Sequence, residues 1–230
     1  MPQKNAWERE YQQQLLVSKD ERPQNFLVQF LKYLKKDKKL AMTDLQVLDL
    51  GCGTGRNTNY LAERGNNVVG IDIAANALRT GEMRVKKLEL ESSVNYINQS
   101  IGAPLPFADN YFDLILDITS SNSLKESERE IYLKECHRVL KPGGFIILRA
   151  LCKDGDKNAK KLLELSPGKE YDTYFMKELG LVERVFSEKD LRDLYGRYFN
   201  FDKLTKDIGY PKVGGRVYTR RYWLAILTKK

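Results

Sequence analysis

The sequence predicts an α/β fold: a doubly wound, mostly parallel sheet of seven strands, with helices ahead of it and an antiparallel last strand. Three observations predict this. From residue 46 onward, apolar segments of strand length alternate with segments of helical period. The first of those strands runs straight into Gly51-Cys52-Gly53-Thr54-Gly55, with a helical segment behind it. The run from Phe112 to Ile118 has almost no polar alternation, as a strand covered on both faces requires.

Residues 1–45 read as an N-terminal helical cap, and 46–230 as the main domain. Leu27, Phe30, Leu31 and Leu34 fall at i, i+3, i+4 and i+7, one face of a helix. Pro23 suits its first turn, and the lysine-rich stretch 35–39 its solvated end. Strands are expected at 46–50, 67–71, 94–98, 112–118 and 145–151, with helices at 55–65, 75–90 and 126–140. The last helix carries Tyr132, Cys136, Val139 and Leu140 on one stripe, and Pro142-Gly143-Gly144 stops it. Such alternation implies right-handed crossovers. A variable insertion around 153–180 reads as helix and loop. Ser187 followed by Asp190 is a capping signal for a helix whose stripe is Leu191, Leu194, Tyr195 and Tyr198. Strands at 199–205 and 222–228 form a closing hairpin.

The chain has 230 residues, 42% of them apolar, enough for a core. No apolar run reaches the length of about 20 residues that spans a bilayer, and the start has no apolar segment behind a basic one, which argues against a secretory signal. Three cysteines, Cys52, Cys136 and Cys152, with no C-x-x-C and a single histidine, argue against a disulfide framework or a metal site and for a reducing, cytoplasmic location. The net charge of +8 divides into +3 over 1–45, −1 over 46–150 and +6 over 151–230. A basic excess fits a soluble surface and also admits a nucleic-acid partner.

The stretch Val47-Leu48-Asp49-Leu50-Gly51-Cys52-Gly53-Thr54-Gly55 carries the chemistry. Glycines let a ligand approach the backbone, and the carboxyl end of a first parallel strand is where doubly wound sheets bind nucleotide-like ligands. The spacing is G-x-G-x-G, with Arg56 where a dinucleotide fingerprint needs its third glycine. The second strand ends in Asp72, whose carboxylate can accept both hydroxyls of a ribose, in a dinucleotide or in S-adenosylmethionine. The glycine spacing favours the second.

Here the sequence resembles the class I methyltransferase family. Leu105-Pro106-Phe107-Ala108-Asp109-Asn110-Tyr111-Phe112-Asp113 is similar to the family's L-P-F-x-D-x-x-F-D segment, and Arg138-Val139-Leu140-Lys141-Pro142-Gly143-Gly144 to its R-V-L-K-P-G-G turn. Trp7-Glu8-Arg9-Glu10-Tyr11 is similar to the W-x-x-x-Y often found near the start. The resemblance covers 46–150 well, the first 45 residues thinly and the last 80 in outline.

The resemblance implies S-adenosylmethionine as cofactor and S-adenosylhomocysteine as product. Gly51, Gly53 and Gly55 would lie beside the methionine part, with Asp49 near its amino group and Asn57 at its carboxylate, aided by a helix N-terminus. Asp72 would hold the ribose and Ile73 pack on the adenine. Relatives often place an acid after the third strand; Ser100 and Ile101 stand there instead, a departure at the adenine. Asp117 either borders the transferred methyl group or is a structural acceptor. Substrate candidates, by placement, are Trp7, Tyr11, Asn122, Tyr171, Tyr174, Arg216 and Tyr218, each with packing or surface as its alternative. His137 and Cys52 read as structural, and no catalytic residue is assigned.

The implied reaction is in-line displacement at the methyl group, with a general base needed only if the nucleophile holds its proton at neutral pH. No Asn-Pro-Pro-Tyr follows the fourth strand, where Asp117-Ile118-Thr119-Ser120 stands, which lowers the case for base or glutamine methylation. A small-molecule acceptor is the leading expectation. RNA or protein methylation follows it, supported only by the +6 of residues 151–230; the mixed basic and aromatic run 216–223 could grip an anionic substrate or RNA, with a strand of exposed arginines as the favoured reading. A non-catalytic S-adenosylmethionine-binding module and a nicotinamide-dependent oxidoreductase complete the alternatives.

Overall fold

The computed structural model describes residues 3–14, 17, 20–213 and 216–230, without the side chains of 212, 213 and 216. The predicted periodicities become α1 (Lys4–Gln13), α2 (Asn25–Asp37), β1 (Gln46–Leu50), α3 (Arg56–Ala62), β2 (Asn67–Asp72), α4 (Ala75–Lys87), β3 (Val94–Asn98), β4 (Phe112–Ile118), α5 (Glu126–Val139) and β5 (Leu140–Leu151). The remainder is α6 (Lys157–Leu165), β6 (Thr173–Met176), β7 (Leu181–Arg184), α7 (Glu188–Tyr195), β8 (Phe199–Gly209), β9 (Lys212–Val213), β10 (Arg216–Val217) and β11 (Arg220–Lys229).

The main sheet has seven strands in the order β3-β2-β1-β4-β5-β11-β8. β3 through β5 run parallel, and β11 is antiparallel to both β5 and β8. The order reverses between β1 and β4, which opens a crevice at their carboxyl ends. Both faces are covered, so neighbouring residues bury into different layers. Leu48, Ile115, Ile146 and Leu148 pack with Tyr132 and Leu133 of α5 and Leu191 of α7. Val47, Leu114, Leu116 and Ile147 pack with α2 and with Leu61 of α3. On α2 the apolar stripe becomes five buried side chains, Phe26, Leu27, Phe30, Leu31 and Leu34, each worth about 1.5–3 kcal/mol of burial.

Several boundaries differ from the expected ones, each for a local reason. Gln24 is the N-cap of α2, with ψ 139°, so Pro23 stands outside the first turn. The helix expected over 55–65 stops at Ala62, and Gly65 closes the turn after it with φ +79°. The helix expected over 75–90 stops at Lys87, ahead of Glu89 with φ +57°. β5 starts at Leu140 because the chain leaves α5 directly into the sheet: Leu140 pairs with Phe112 and Phe145 with Leu114, so residues 141–144 bulge between them. The insertion holds a β6–β7 hairpin besides α6. β8 and β11 pair antiparallel, as a closing hairpin would, and the short β9–β10 ribbon lies between them in sequence.

Two caps fix segments near the crevice. Ser187 Oγ accepts the Asp190 N–H at 3.1 Å while the Asp190 carboxylate accepts the Ser187 N–H at 3.1 Å, completing the capping box of α7. α4 has no cap of its own. Glu8 of α1 supplies one, accepting the Ala75 N–H at 2.7 Å and the Asn76 N–H at 3.1 Å, and so pins α1 beside the end of β2. Among the described residues, no helix is long and apolar enough to cross a membrane.

Candidate functional site

The turn after β1 folds back on β2: Ile71 O accepts the Gly51 N–H at 2.8 Å and the Cys52 N–H at 3.0 Å. Gly51 and Gly53 have φ +71° and +57°, where a Cβ strains the chain. A Cβ on Gly51 would also strike Ser120, and one on Gly53 would come within 2.6 Å of the Tyr11 hydroxyl. Gly55, with φ +79°, is the N-cap residue of α3.

Asp72 closes this turn from β2. Its Oδ2 accepts the Gly53 N–H at 2.9 Å and its Oδ1 the Ala74 N–H at 2.8 Å. Burial raises its pKa to about 6, against those two hydrogen bonds. Asp49 is buried too, accepts the Thr58 hydroxyl at 2.7 Å, and is raised to about 6 chiefly by burial. Asn57 is buried in the first turn of α3 with its Oδ1 unpartnered among the described residues, an acceptor suited to an ammonium or other N–H donor.

A cleft of about 1170 Å³ brings together Gly51, Gly53, Asn57, Asp72, Ile73, Ser100 and Ile101. Asp49 and Gly55 lie behind this wall. Ser100 Oγ accepts the Gly102 N–H at 3.2 Å. Asp117 also lies behind the wall, fully buried: it accepts the Tyr132 hydroxyl at 2.7 Å and the Ser120 and Ser121 N–H groups at 3.1 and 3.2 Å. Ile118, Thr119 and Ser120 face the cleft in its place. Asp117 thus shapes the loop after β4 from within, the arrangement its structural-acceptor alternative describes.

Of the substrate candidates, Trp7, Tyr11, Tyr174 and Tyr218 line the cleft. Trp7 and Tyr11 have ring centroids 6.2 Å apart. Tyr174 is buried and donates to Glu183 at 2.6 Å while accepting from Arg220 at 3.1 Å. Burial raises the Glu183 pKa. Asn122 stands behind the wall, its Oδ1 accepting the Leu151 N–H at 3.1 Å. Tyr171 is 66% exposed and outside the cleft. The Arg216 side chain lies outside the described residues. His137 packs against Tyr198, 5.7 Å between centroids, away from the cleft. The Cys52 thiol lines the cleft but is pushed well up by burial, which keeps it protonated and a poor nucleophile.

Sequence reasoning missed Arg149 and Glu183, which line this cleft, and Glu8, which fastens α1 beside it; Arg220 was noted only as part of the run 216–223. Arg149 left a readable signal, a lone charge in the apolar run Phe145 to Ala150. The others depend on contacts distant in sequence. Glycine turn, ribose-height carboxylate and unpartnered Asn57 oxygen together form a cradle for an amino-acid-bearing nucleoside, and so fit S-adenosylmethionine.

Residues 48–148 match the family described as methyltransferase domain. An uncharacterized methyltransferase of Synechocystis sp. is 35% identical over 103 residues, 45% of each chain. A ubiquinone/menaquinone biosynthesis C-methyltransferase of Shewanella oneidensis is 32% identical over 129 residues, 54% of this chain and 50% of its own. The chain thus spans about half the length of these curated relatives. In three dimensions it is similar to the 1,6-didemethyltoxoflavin-N1-methyltransferase of Burkholderia thailandensis, solved with 1,6-didemethyltoxoflavin and S-adenosylhomocysteine bound, with TM-score 0.72, 19% identity, and 99% of this chain and 87% of that one covered. At that identity the likeness concerns the fold.

Proposed function

We propose that this chain is a class I S-adenosylmethionine-dependent methyltransferase, a reading supported by the match of residues 48–148 to the methyltransferase domain family, and that it transfers a methyl group from S-adenosylmethionine to a small-molecule acceptor. The observation that carries the reading is the joining of the Asp72 carboxylate to the Gly53 amide at the mouth of a cleft. When bound, the cofactor supplies a methyl group made electrophilic by its sulfonium.

The chain's own residues position and enclose. Asp72 would accept the ribose hydroxyls, Ile73 and Ile101 flank the adenine, and Ser100 stands where an acid is absent. Gly51 and Gly53 leave room for the methionine part; Asn57, expected at its carboxylate, has an Oδ1 unpartnered among the described residues and would accept from the ammonium instead. Asp49 and Asp117 act from behind the wall, through Thr58 and through the Ser120 loop. Residues 1–45 serve as a helical cap on 46–230, with α1 bringing Tyr11 over the glycine turn and Trp7 into the cleft wall. Holding acceptor and methyl group in line and excluding water is the main catalytic contribution open to such a site.

Two observations support a small acceptor. Trp7, Tyr11 and Tyr174 wall the cleft, and the Burkholderia relative is named for a small acceptor. Three buried, unpaired cysteines support the reducing, cytoplasmic location. The test is to incubate the protein with methyl-labelled cofactor and separated small-molecule, RNA and protein fractions of a cell extract. Label entering the small-molecule fraction is expected; label confined to nuclease-sensitive or protease-sensitive material contradicts the reading.

A further inference from the structure

Three arginines enter the cleft, and they are not equivalent. Arg220 is answered: its Nε lies 3.7 Å from Asp156 and its Nη2 donates to Tyr174. Buried arginines elsewhere are ion-paired, Arg129 and Arg184 with Glu126, though each also keeps an Nε with no partner among the described residues. Arg149 and Arg56 form no ion pair among the described residues. The Arg149 Nε is buried with no hydrogen-bond partner among them. Its guanidinium lies over the Tyr222 ring, 3.5 Å from the centroid, with the Phe26 ring at 5.6 Å. Burial weakens its hold on its proton, against help from Tyr222 and Asp207. Arg56 enters from the first residue of α3. Burial and the Arg149 charge both weaken its hold on its proton, against help from Asp20, Asp49 and Tyr11.

Asp20 and Asp207 share a smaller pocket with both guanidiniums, but neither acid forms an ion pair with them among the described residues, and two like charges at a cleft wall favour a further counter-charge. The fork of an arginine is matched to a carboxylate or phosphate. Position says whose anion it is. Asp72 and Ile73 stand on the β2 side of β1, whereas Arg149 stands on β5, beyond β4, where its carbonyl accepts the Thr119 N–H at 2.8 Å. Arg149 therefore stands at the acceptor end of the cleft, and Arg56, at the start of α3 beside Asn57, faces it from the cofactor side.

We propose that Arg149, with Arg56 beside it, binds an anionic group of the methyl acceptor, and that the acceptor is a small molecule bearing a carboxylate or similar anion. This rests on the methyltransferase reading above.

The test uses para-fluorobenzoate and its uncharged counterpart para-fluorobenzamide as probes. Each is titrated by fluorine NMR into the full chain, with and without saturating S-adenosylhomocysteine. The expected result is binding of the benzoate about tenfold or more tighter than the amide, in the presence of S-adenosylhomocysteine. Arg149→Gln should abolish that preference and Arg149→Lys retain part of it, while S-adenosylhomocysteine affinity stays within about twofold of the native value. If Arg149→Gln does not fold, Arg149→Lys and Arg56→Gln carry the comparison. Equal binding of both probes, or an undiminished preference in Arg149→Gln, overturns the proposal. Displacement of the benzoate by S-adenosylhomocysteine, with loss of that ligand's own affinity in folded Arg149→Gln, also overturns it, since the arginines then serve the cofactor's carboxylate. Failure of the native protein to bind S-adenosylhomocysteine would sink the methyltransferase reading instead, and the probes on the free protein would still decide whether an anion site exists.

Discussion

The Asp72 carboxylate accepts the Gly53 amide proton at 2.9 Å, so the end of β2 and the turn after β1 are held as one unit. Gly53 in turn faces the Tyr11 hydroxyl, and α1, which carries Tyr11, is fastened to α4 by Glu8. Cofactor cradle and N-terminal helix are thus coupled through consecutive contacts.

Replacing Gly53 by alanine tests the middle of this chain of contacts. The new Cβ would meet the Tyr11 hydroxyl at 2.6 Å and strain a backbone at φ +57°. Gly53→Ala should lose about 1–3 kcal/mol in urea unfolding and bind S-adenosylhomocysteine more weakly. Adding Tyr11→Phe should recover the steric share and leave the backbone share. A Gly53→Ala protein as stable as the native one would contradict this.

Glu8→Ala removes the cap on α4 while leaving the cradle intact. The cost should be about 1–2 kcal/mol, with faster hydrogen exchange at the first amides of α4 and in α1. Unchanged exchange there would show that α1 is held by other contacts.

Asp49 and Asp72 are each raised from 3.8 to about 6 by burial. An acid with a folded pKa above its unfolded value holds its proton more tightly when folded, so its ionisation opposes folding. Stability should therefore decline as pH rises from about 4 through 6, by up to about 3 kcal/mol for each residue. Asp49→Asn keeps an acceptor for Thr58 and removes the charge, so its unfolding temperature should vary less between about pH 4 and 6, the interval between the unfolded and folded pKa values. An identical pH profile in the variant would count against the burial argument. Ligand affinity should run the other way, weakening below about pH 6 as Asp72 gains a proton and loses a lone pair for the ribose.

Asp117 gathers the Tyr132 hydroxyl and the Ser120 and Ser121 amides. Asp117→Asn disturbs that network and should cost about 1–3 kcal/mol of stability, with S-adenosylhomocysteine affinity within about twofold of native. A stable variant with greatly weakened ligand binding would return Asp117 to the cofactor.

What was legible in the sequence was whatever local pattern dictates. β1 and β4 occupy the expected residues because a strand covered on both faces leaves an apolar run bounded by turn residues; the edge strand β3 also falls on its expected residues, with no residue fully buried. The glycine turn and Asp72 were legible because backbone approach and a carboxylate at a strand end have fixed spacing. The rest is long-range. Tyr11 meets Gly53 only after α1 folds back on α4. The Tyr174–Glu183–Arg220 group draws on β6, β7 and β11, and no spacing rule joins those segments. Asp117 has the right height for a ligand contact but points into the protein, a direction set by Tyr132 of α5.

The most direct test of the central claim is calorimetric titration of S-adenosylhomocysteine into the native protein and into Asp72→Ala. The account predicts saturable binding by the native chain and a loss of at least about tenfold, or about 1.4 kcal/mol, in a variant that remains folded. Equal affinity in the two proteins, or no binding by a folded native chain, would contradict it.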